Sequence, residues 1–295
     1  MKNNKHKTPI WRSQLYVPAN NQKFINKAHL RGSDAVILDL EDSLSQKAKK
    51  DVLKNLKEII PTVSQNGTDV LVRINSSRSL YEEELEHCIY PKLNAIVIPK
   101  LSKTKHIKRI IKIIDNLEKS RKIKNNIKIL GLIEDTRGFF NAKKLSKASK
   151  RIISLILGFE DFSLNTRIAP KEEFLIFPKQ FLLLICRYSN LIPYGFLDSI
   201  SDFSNLSKLD KIARKSYEFG FEGSSCIHPS AIPILNNAFT PSKKEEEEAK
   251  KVIEVFEECL SKDLNVTKFK NKMIDLPIYK RALKVVQKCE YFRNK

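Results

Sequence analysis

The chain has 295 residues, 30% charged and 41% hydrophobic, which is the balance of a globular protein long enough to bury a full core. Its 54 basic and 34 acidic residues leave a net charge of +20, but the lysines are dispersed, as on a solvated surface, so a nucleic-acid partner is not expected. No stretch approaches the roughly 20 apolar residues that span a bilayer, and the basic start, Met1 to Ile10, lacks the apolar centre of a leader. Five scattered cysteines without a Cys-x-x-Cys pair predict reduced thiols in a cytoplasmic protein.

Short apolar, β-branched runs recur at a spacing that suits a βα repeat. The predicted strands are Gln14 to Val17, Ala35 to Leu40, Asp69 to Ile74, Ala95 to Pro99, Lys128 to Ile133, Ile152 to Leu157, Leu191 to Phe196 and Gly223 to Ile227. Continuous apolar runs are the mark of strands buried on both faces, hence of a parallel sheet. Helices are predicted over Gln46 to Ile60, Thr104 to Ser120, Phe139 to Ala148 and Phe177 to Tyr188. In Thr104 to Ser120 lysines alternate with Ile107, Ile110, Ile111, Ile114 and Leu117, an amphipathic pattern. Eight βα units predict an α/β fold, a (β/α)8 TIM barrel over residues 1–240.

Beyond the eighth strand the pattern changes. Ser242-Lys-Lys-Glu245 is a capping box opening a helix to about Leu260, with the acidic run Glu245 to Glu248 in its first turn. A polar linker, Ser261 to Lys272, then leads to Met273-Ile-Asp275-Leu-Pro277 and a last helix from Ile278 to about Lys288. Residues 241–295 are thus expected to form a helical extension.

Several strands run straight into charged groups, and functional residues gather at the carboxyl ends of parallel strands. Glu134 and Asp161 follow the fifth and sixth strands; two hard carboxylates without nearby histidine or cysteine suit Mg²⁺. Alternation does not decide between Glu134 and Asp135, or between Glu160 and Asp161, and the competing reading is that these acids cap helices. Arg73 lies inside an apolar run, so its guanidinium needs an anionic partner, either a substrate carboxylate or the protein's own Glu41 and Asp42. Lys100 adds positive charge to the rim, and His228 is either a base or a hydrogen-bonded turn residue. No serine or cysteine nucleophile arrangement, phosphate loop or dinucleotide fingerprint is present. The set describes a metal-bound anionic pocket suited to a 2-oxo acid.

Arg12-Ser-Gln-Leu-Tyr-Val-Pro18, Ala35-Val-Ile-Leu-Asp-Leu-Glu-Asp42, Val72-Arg-Ile-Asn75, Ile98-Pro-Lys100, Ile133-Glu134 with Gly138, Gly158-Phe-Glu-Asp161, Gly223 with Ile227-His-Pro229, Ala238-Phe-Thr-Pro241 and Met273-Ile-Asp275-Leu-Pro277 occur in order. Together they resemble the citrate lyase β-subunit-like (CitE-like) group of the HpcH/HpaI aldolase superfamily, which includes malyl-CoA and citramalyl-CoA lyases. The resemblance implies a TIM barrel, usually a homotrimer or hexamer, with a C-terminal lid. It implies Mg²⁺-dependent cleavage of a citryl-, malyl- or citramalyl-type 3-hydroxyacyl-CoA to an acyl-CoA and a 2-oxo acid. Glu134 and Asp161 would then be the metal ligands. Arg73 would clamp the oxo acid, and Asp275 would be the lid's acid/base acting in a neighbouring subunit's pocket. Glu41 completes the expected catalytic set, while Arg12, Lys23 and Lys27 are expected on the substrate or CoA side. An acyl carrier protein is a further expected partner. The alternatives are an aldolase for free 2-oxo acids and a lapsed barrel binding an acidic partner or nucleic acid. Ala19, Ser102, Asp135 and Asn271 depart from residues common in the group (glycine, glutamate, threonine and glycine), which bears on loop geometry and acyl preference.

Overall fold

The computed structural model describes residues 9–42, 46–201 and 204–294. It divides into two compact units, Met1–Asn236 and Asn237–Lys295. In the first, strands and helices alternate: β1 (Ser13–Pro18), α1 (Gln22–Ala28), β2 (Ala35–Asp39), α2 (Gln46–Val63), β3 (Asp69–Arg73), α3 (Arg78–Cys88), β4 (Leu93–Ile98), α4 (Thr104–Ser120), β5 (Lys128–Ile133), α5 (Thr136–Ser146), β6 (Ile152–Leu157), α6 (Phe159–Thr166), α7 (Glu172–Tyr188), α8 (Leu206–Phe219) and β7 (Ser224–Cys226). Helix α9 (Ala231–Ala238) runs on into the second unit. Among the described residues, no helix is long and apolar enough to cross a membrane.

The apolar runs form strands because both of their faces are covered. Every residue of β2 is buried, and the seven strands pair in parallel in the order β6-β5-β4-β3-β2-β1-β7. The register brings Leu38 beside Val72, Val72 beside Ile96, and Ile96 beside Ile129. Inside the curl of the sheet, Ile37, Leu71, Ala95, Val97, Leu130 and Ile153 pack with Trp11 and Tyr194, whose rings stack with centroids 6.0 Å apart. The outer helices bury one stripe each; on α4 that stripe is Ile107, Ile110, Ile114 and Leu117, leaving its lysine side to water.

The seventh of the expected strands, at 191–196, is not formed, which leaves seven of the eight. Pro193 has no N–H to donate and Gly195 weakens an extended segment. The segment nevertheless touches both edges of the sheet: Ile192 N donates to Ile153 O at 2.8 Å, Gly195 N to Gly223 O at 3.0 Å, and Glu222 N to Pro193 O at 2.9 Å. Gly195 is required by a close approach, since a Cβ there would stand 2.6 Å from the Phe221 ring.

In the second unit, Ser242 and Glu245 form the reciprocal capping box of α10 (Lys243–Leu260), and Asp275 caps α11 (Leu276–Arg293) by accepting from Ile278 N at 3.1 Å. The stretch expected as a polar linker contains an antiparallel hairpin, β8 (Thr267–Phe269) and β9 (Lys272–Ile274). Its two-residue turn, Lys270 and Asn271, has φ of 51° and 60°, as a primed hairpin turn demands. Asparagine replaces glycine there at little cost because it tolerates the left-handed region.

Candidate active site

The carboxyl ends of the strands carry the charged groups into one cavity of about 450 Å³, lined among others by Tyr16, Asp39, Arg73, Glu134, Asp161 and Lys179. Parallel pairing sets this convergence, because in-register strands end together. Asp39 and Arg73 are direct register partners on β2 and β3.

Arg73 is the most heavily bonded group of the site. Its Nε lies 2.7 Å from Asp39 Oδ1, Nη1 3.3 Å from Glu41 Oε2, and Nη2 2.8 Å from Asp42 Oδ2, and the guanidinium stands 5.0 Å over the Tyr16 ring. Burial opposes its charge, yet the hydrogen bond to Asp39 and the surrounding carboxylates hold it well above its ordinary range. Glu41 and Asp42, the protein's own acids offered as partners by the sequence, both pair with Arg73, and Asp39 joins them. Glu41 also accepts from Lys100 Nζ at 3.2 Å; burial pushes its carboxyl up, against the pull of Arg73.

This acidic turn is braced from behind. Asn75 Nδ2 donates to Leu40 O at 2.8 Å and to Glu84 Oε1 at 2.6 Å, while Asn75 N donates to Glu84 Oε2 at 2.6 Å. Glu84 is fully buried and paired with Lys49, so α2, α3 and the end of β3 all hold the segment that carries Asp39, Glu41 and Asp42.

Glu134 projects into the cavity and Asp135 does not. Asp135 is the N-cap of α5, accepting from Gly138 N at 2.5 Å, which resolves the first ambiguous pair. Glu160 and Asp161 both sit in the first turn of α6 and both line the cavity; Glu160 Oε1 accepts from Ser199 Oγ at 2.6 Å. Glu134 is 5% exposed, and its Oε2 accepts from Lys100 N at 3.2 Å. Burial, then repulsion from Glu41 and Asp161, pushes its carboxyl up to about 7. That shift measures how poorly compensated its negative charge is.

The donor set fits a divalent cation that keeps solvent or substrate oxygens. No cluster of three or more His, Cys, Asp or Glu side chains placed for a metal occurs among the described residues. Two carboxylates suffice for Mg²⁺, which is commonly bound through one or two and completes its octahedron elsewhere. A cation between Glu134 and Asp161 would relieve the repulsion that raises Glu134.

Arg12, Lys23, Lys27 and His228 do not line this cavity. Arg12 precedes β1, at the end away from the cavity, and is forked onto Asp34 with Nε–Oδ2 at 2.8 Å and Nη2–Oδ1 at 2.9 Å. Lys23 and Lys27 are exposed on α1, and Asp275 belongs to the second unit. His228 Nδ1 lies 2.7 Å from Ser230 Oγ in the turn before α9. Asp39, Tyr16 and Lys179 also line the cavity and were not singled out from the sequence. Asp39 was signalled by a charge ending an apolar run, Tyr16 carries no signal of its own, and Lys179 was signalled by a charge inside an apolar helix.

A family model described as HpcH/HpaI aldolase/citrate lyase matches residues 12–229. The citrate lyase subunit beta of Escherichia coli (strain K12) is 28% identical over 96% of this chain and 95% of its own length. The mitochondrial citramalyl-CoA lyase of Homo sapiens is 24% identical over 98% of this chain and 88% of its own. Among solved structures, CitE from Mycobacterium tuberculosis in complex with magnesium, acetoacetate and coenzyme A is 20% identical. It superposes with a TM-score of 0.75 over 94% of this chain and 97% of that one, a likeness of fold.

Proposed function

The chain belongs to the HpcH/HpaI aldolase/citrate lyase family and is a carbon–carbon lyase; from that premise we propose that it cleaves a citryl-, malyl- or citramalyl-type 3-hydroxyacyl-CoA to an acyl-CoA and a 2-oxo acid, with Mg²⁺ held by Glu134 and Asp161. The observation that carries this reading is the convergence of the buried Glu134 carboxyl and of Asp161, from the first turn of α6, on the wall of one cavity, a pair whose charge asks for a cation. The magnesium complex of the M. tuberculosis CitE supports the choice of ion.

When bound, the ion supplies electrophilic stabilisation to substrate oxygens. Glu134 and Asp161 fix its place, and Lys100, donating through its backbone N–H, orients Glu134. Arg73, fixed in place by Asp39, Glu41 and Asp42, offers its remaining N–H donors to the oxo-acid end of the substrate. Glu41 takes up the hydroxyl proton, a role suited to a carboxyl that burial has raised. The carbon–carbon bond then breaks toward the thioester, which accepts the electron pair as its enolate, and Asp275 from a neighbouring copy's C-terminal segment returns a proton to that carbon. Assignment of Asp275, of a lid, of a homotrimeric or hexameric assembly, and of Lys23 and Lys27 to the CoA phosphates rests on the motif resemblance. A full eight-place barrel, with 191–197 as an irregular stave, is part of the same reading.

The test is a panel of citryl-, malyl- and citramalyl-CoA with purified protein and Mg²⁺. Release of oxaloacetate, glyoxylate or pyruvate from one of them is expected. Silence across the panel with metal bound contradicts the proposal.

A further inference from the structure

Two cations, Arg73 and Lys179, line the cavity and a third, Lys100, stands near it, and they are not equivalent. Arg73 is ringed by three carboxylates, and Lys100 is paired with Glu41. Lys179 makes no ion pair among the described residues. Its ammonium donates to Leu197 O and stands 4.2 Å over the Phe159 ring. The carboxylate nearest in sequence to that contact, Asp198, is bonded to Lys208 at 3.1 Å.

An ammonium has three donors, and one is taken here. The side chain is 3% exposed, and lysine is almost never fully buried unless paired. Burial pushes its pKa down to about 8, although Asp198 and Glu172 pull the other way. Tying α7 to the end of segment 191–197 does not explain the charge, since a neutral amide makes the same bond to Leu197 O at lower desolvation cost. An unpaired buried cation in the wall of a ligand cavity is explained if its counter-ion arrives with the ligand.

Its position says which end of the ligand. Segment 191–197 joins the two edges of the sheet. Counting round from Arg73 on β3, the strands β4, β5 and β6 intervene in one direction and β2, β1 and β7 in the other. Lys179, fastened to Leu197 at that segment's end, therefore faces Arg73 across the cavity, with Glu134 and Asp161 on the arc between them.

We propose that Lys179 is a specificity-determining residue that receives a second carboxylate of the substrate, at the end remote from Arg73, so that the site selects a dicarboxylic over a monocarboxylic 2-oxo acid. This deepens the lyase reading and rests on it.

Calorimetric titration of oxaloacetate and pyruvate into the full chain with saturating Mg²⁺ tests it. The parent is expected to bind oxaloacetate at least tenfold more tightly than pyruvate, the lower end of what a charge-assisted hydrogen bond supports. Lys179→Gln, which keeps a donor for Leu197 O but not the charge, is expected to lose that preference and leave pyruvate within about twofold of the parent, a change no general loss of fold produces. Lys179→Arg is expected to keep most of it. Retention of the preference in Lys179→Gln, an equal loss for both acids, or no preference in the parent overturns the role of Lys179 while leaving the lyase reading standing. Binding of neither acid by the parent overturns both.

Discussion

Gly158 and Glu134 are fitted to one another. A Cβ on Gly158 would press into Glu134 Cγ and stand 3.0 Å from its Oε1, so the last residue before α6 leaves room for the carboxylate that ends β5. The backbone at Gly158 has φ of −76°, which any residue adopts; the constraint is the space alone. Gly158→Ala is therefore expected to fold normally but to displace the Glu134 carboxylate, weakening Mg²⁺ binding by tenfold or more in calorimetry. Unchanged affinity would show that Glu134 has room to spare.

Arg73 is the centre of a buried charge cluster, and breaking such a cluster from one side leaves uncompensated charge behind. Arg73→Ala is expected to lower stability by about 3 kcal/mol or more in urea denaturation, because Asp39 and Glu41 lose their counter-ion. Asp39→Asn, which keeps a hydrogen-bonding oxygen for Nε, is expected to cost less. If Arg73→Ala leaves stability within about 0.5 kcal/mol of the parent, the guanidinium is not needed to hold the turn.

The brace behind the turn makes a separate prediction. Glu84 accepts from both the backbone and side chain of Asn75 and pairs with buried Lys49. Glu84→Ala strands all three donors and is expected to cost about 3–5 kcal/mol, whereas Lys49→Met, which leaves Glu84 its two bonds to Asn75, is expected to cost less. The reverse order in thermal or chemical denaturation would remove Glu84 from this role.

Lys179 links the cavity to stability at alkaline pH. Its folded-state pKa of about 8 lies below the ordinary lysine value of about 10.4. Between those values the unfolded chain holds a proton that the folded chain has released. Stability of the ligand-free protein from this group therefore rises with pH across that window and is constant below it. Lys179→Met is expected to flatten the rise and to stabilise the ligand-free protein at pH 7 by roughly 1–3 kcal/mol, an order-of-magnitude figure. A variant less stable than the parent at pH 7 contradicts this.

The strands that the sequence made legible are those buried on both faces, since continuous Val, Ile and Leu leave no other reading. Segment 191–196 was apolar for a different reason: it lines a cavity and touches both sheet edges through single hydrogen bonds, which Pro193 and Gly195 permit. The hairpin at 267–274 was hidden because its strands are only three residues long and mix lysine with apolar residues. At the site, Glu134 and Asp161 were visible as acids after apolar runs, whereas choosing Glu134 over Asp135 needed the helix cap to be seen. Arg73 was singled out as a charge in an apolar run; Lys179 sits in an equally apolar helix and carried the same mark, but a lysine on a helix ordinarily reaches water from one face, so the mark is weaker there.

The central claim is that Glu134 and Asp161 hold one divalent ion beside the Arg73 cluster. Calorimetric titration of Mg²⁺ into the parent and into Glu134→Gln, which preserves shape and removes charge, tests it most directly. One saturable site per chain in the parent, lost in the variant with its fold retained, is the predicted result; equal binding in both, or none in the parent, would contradict it.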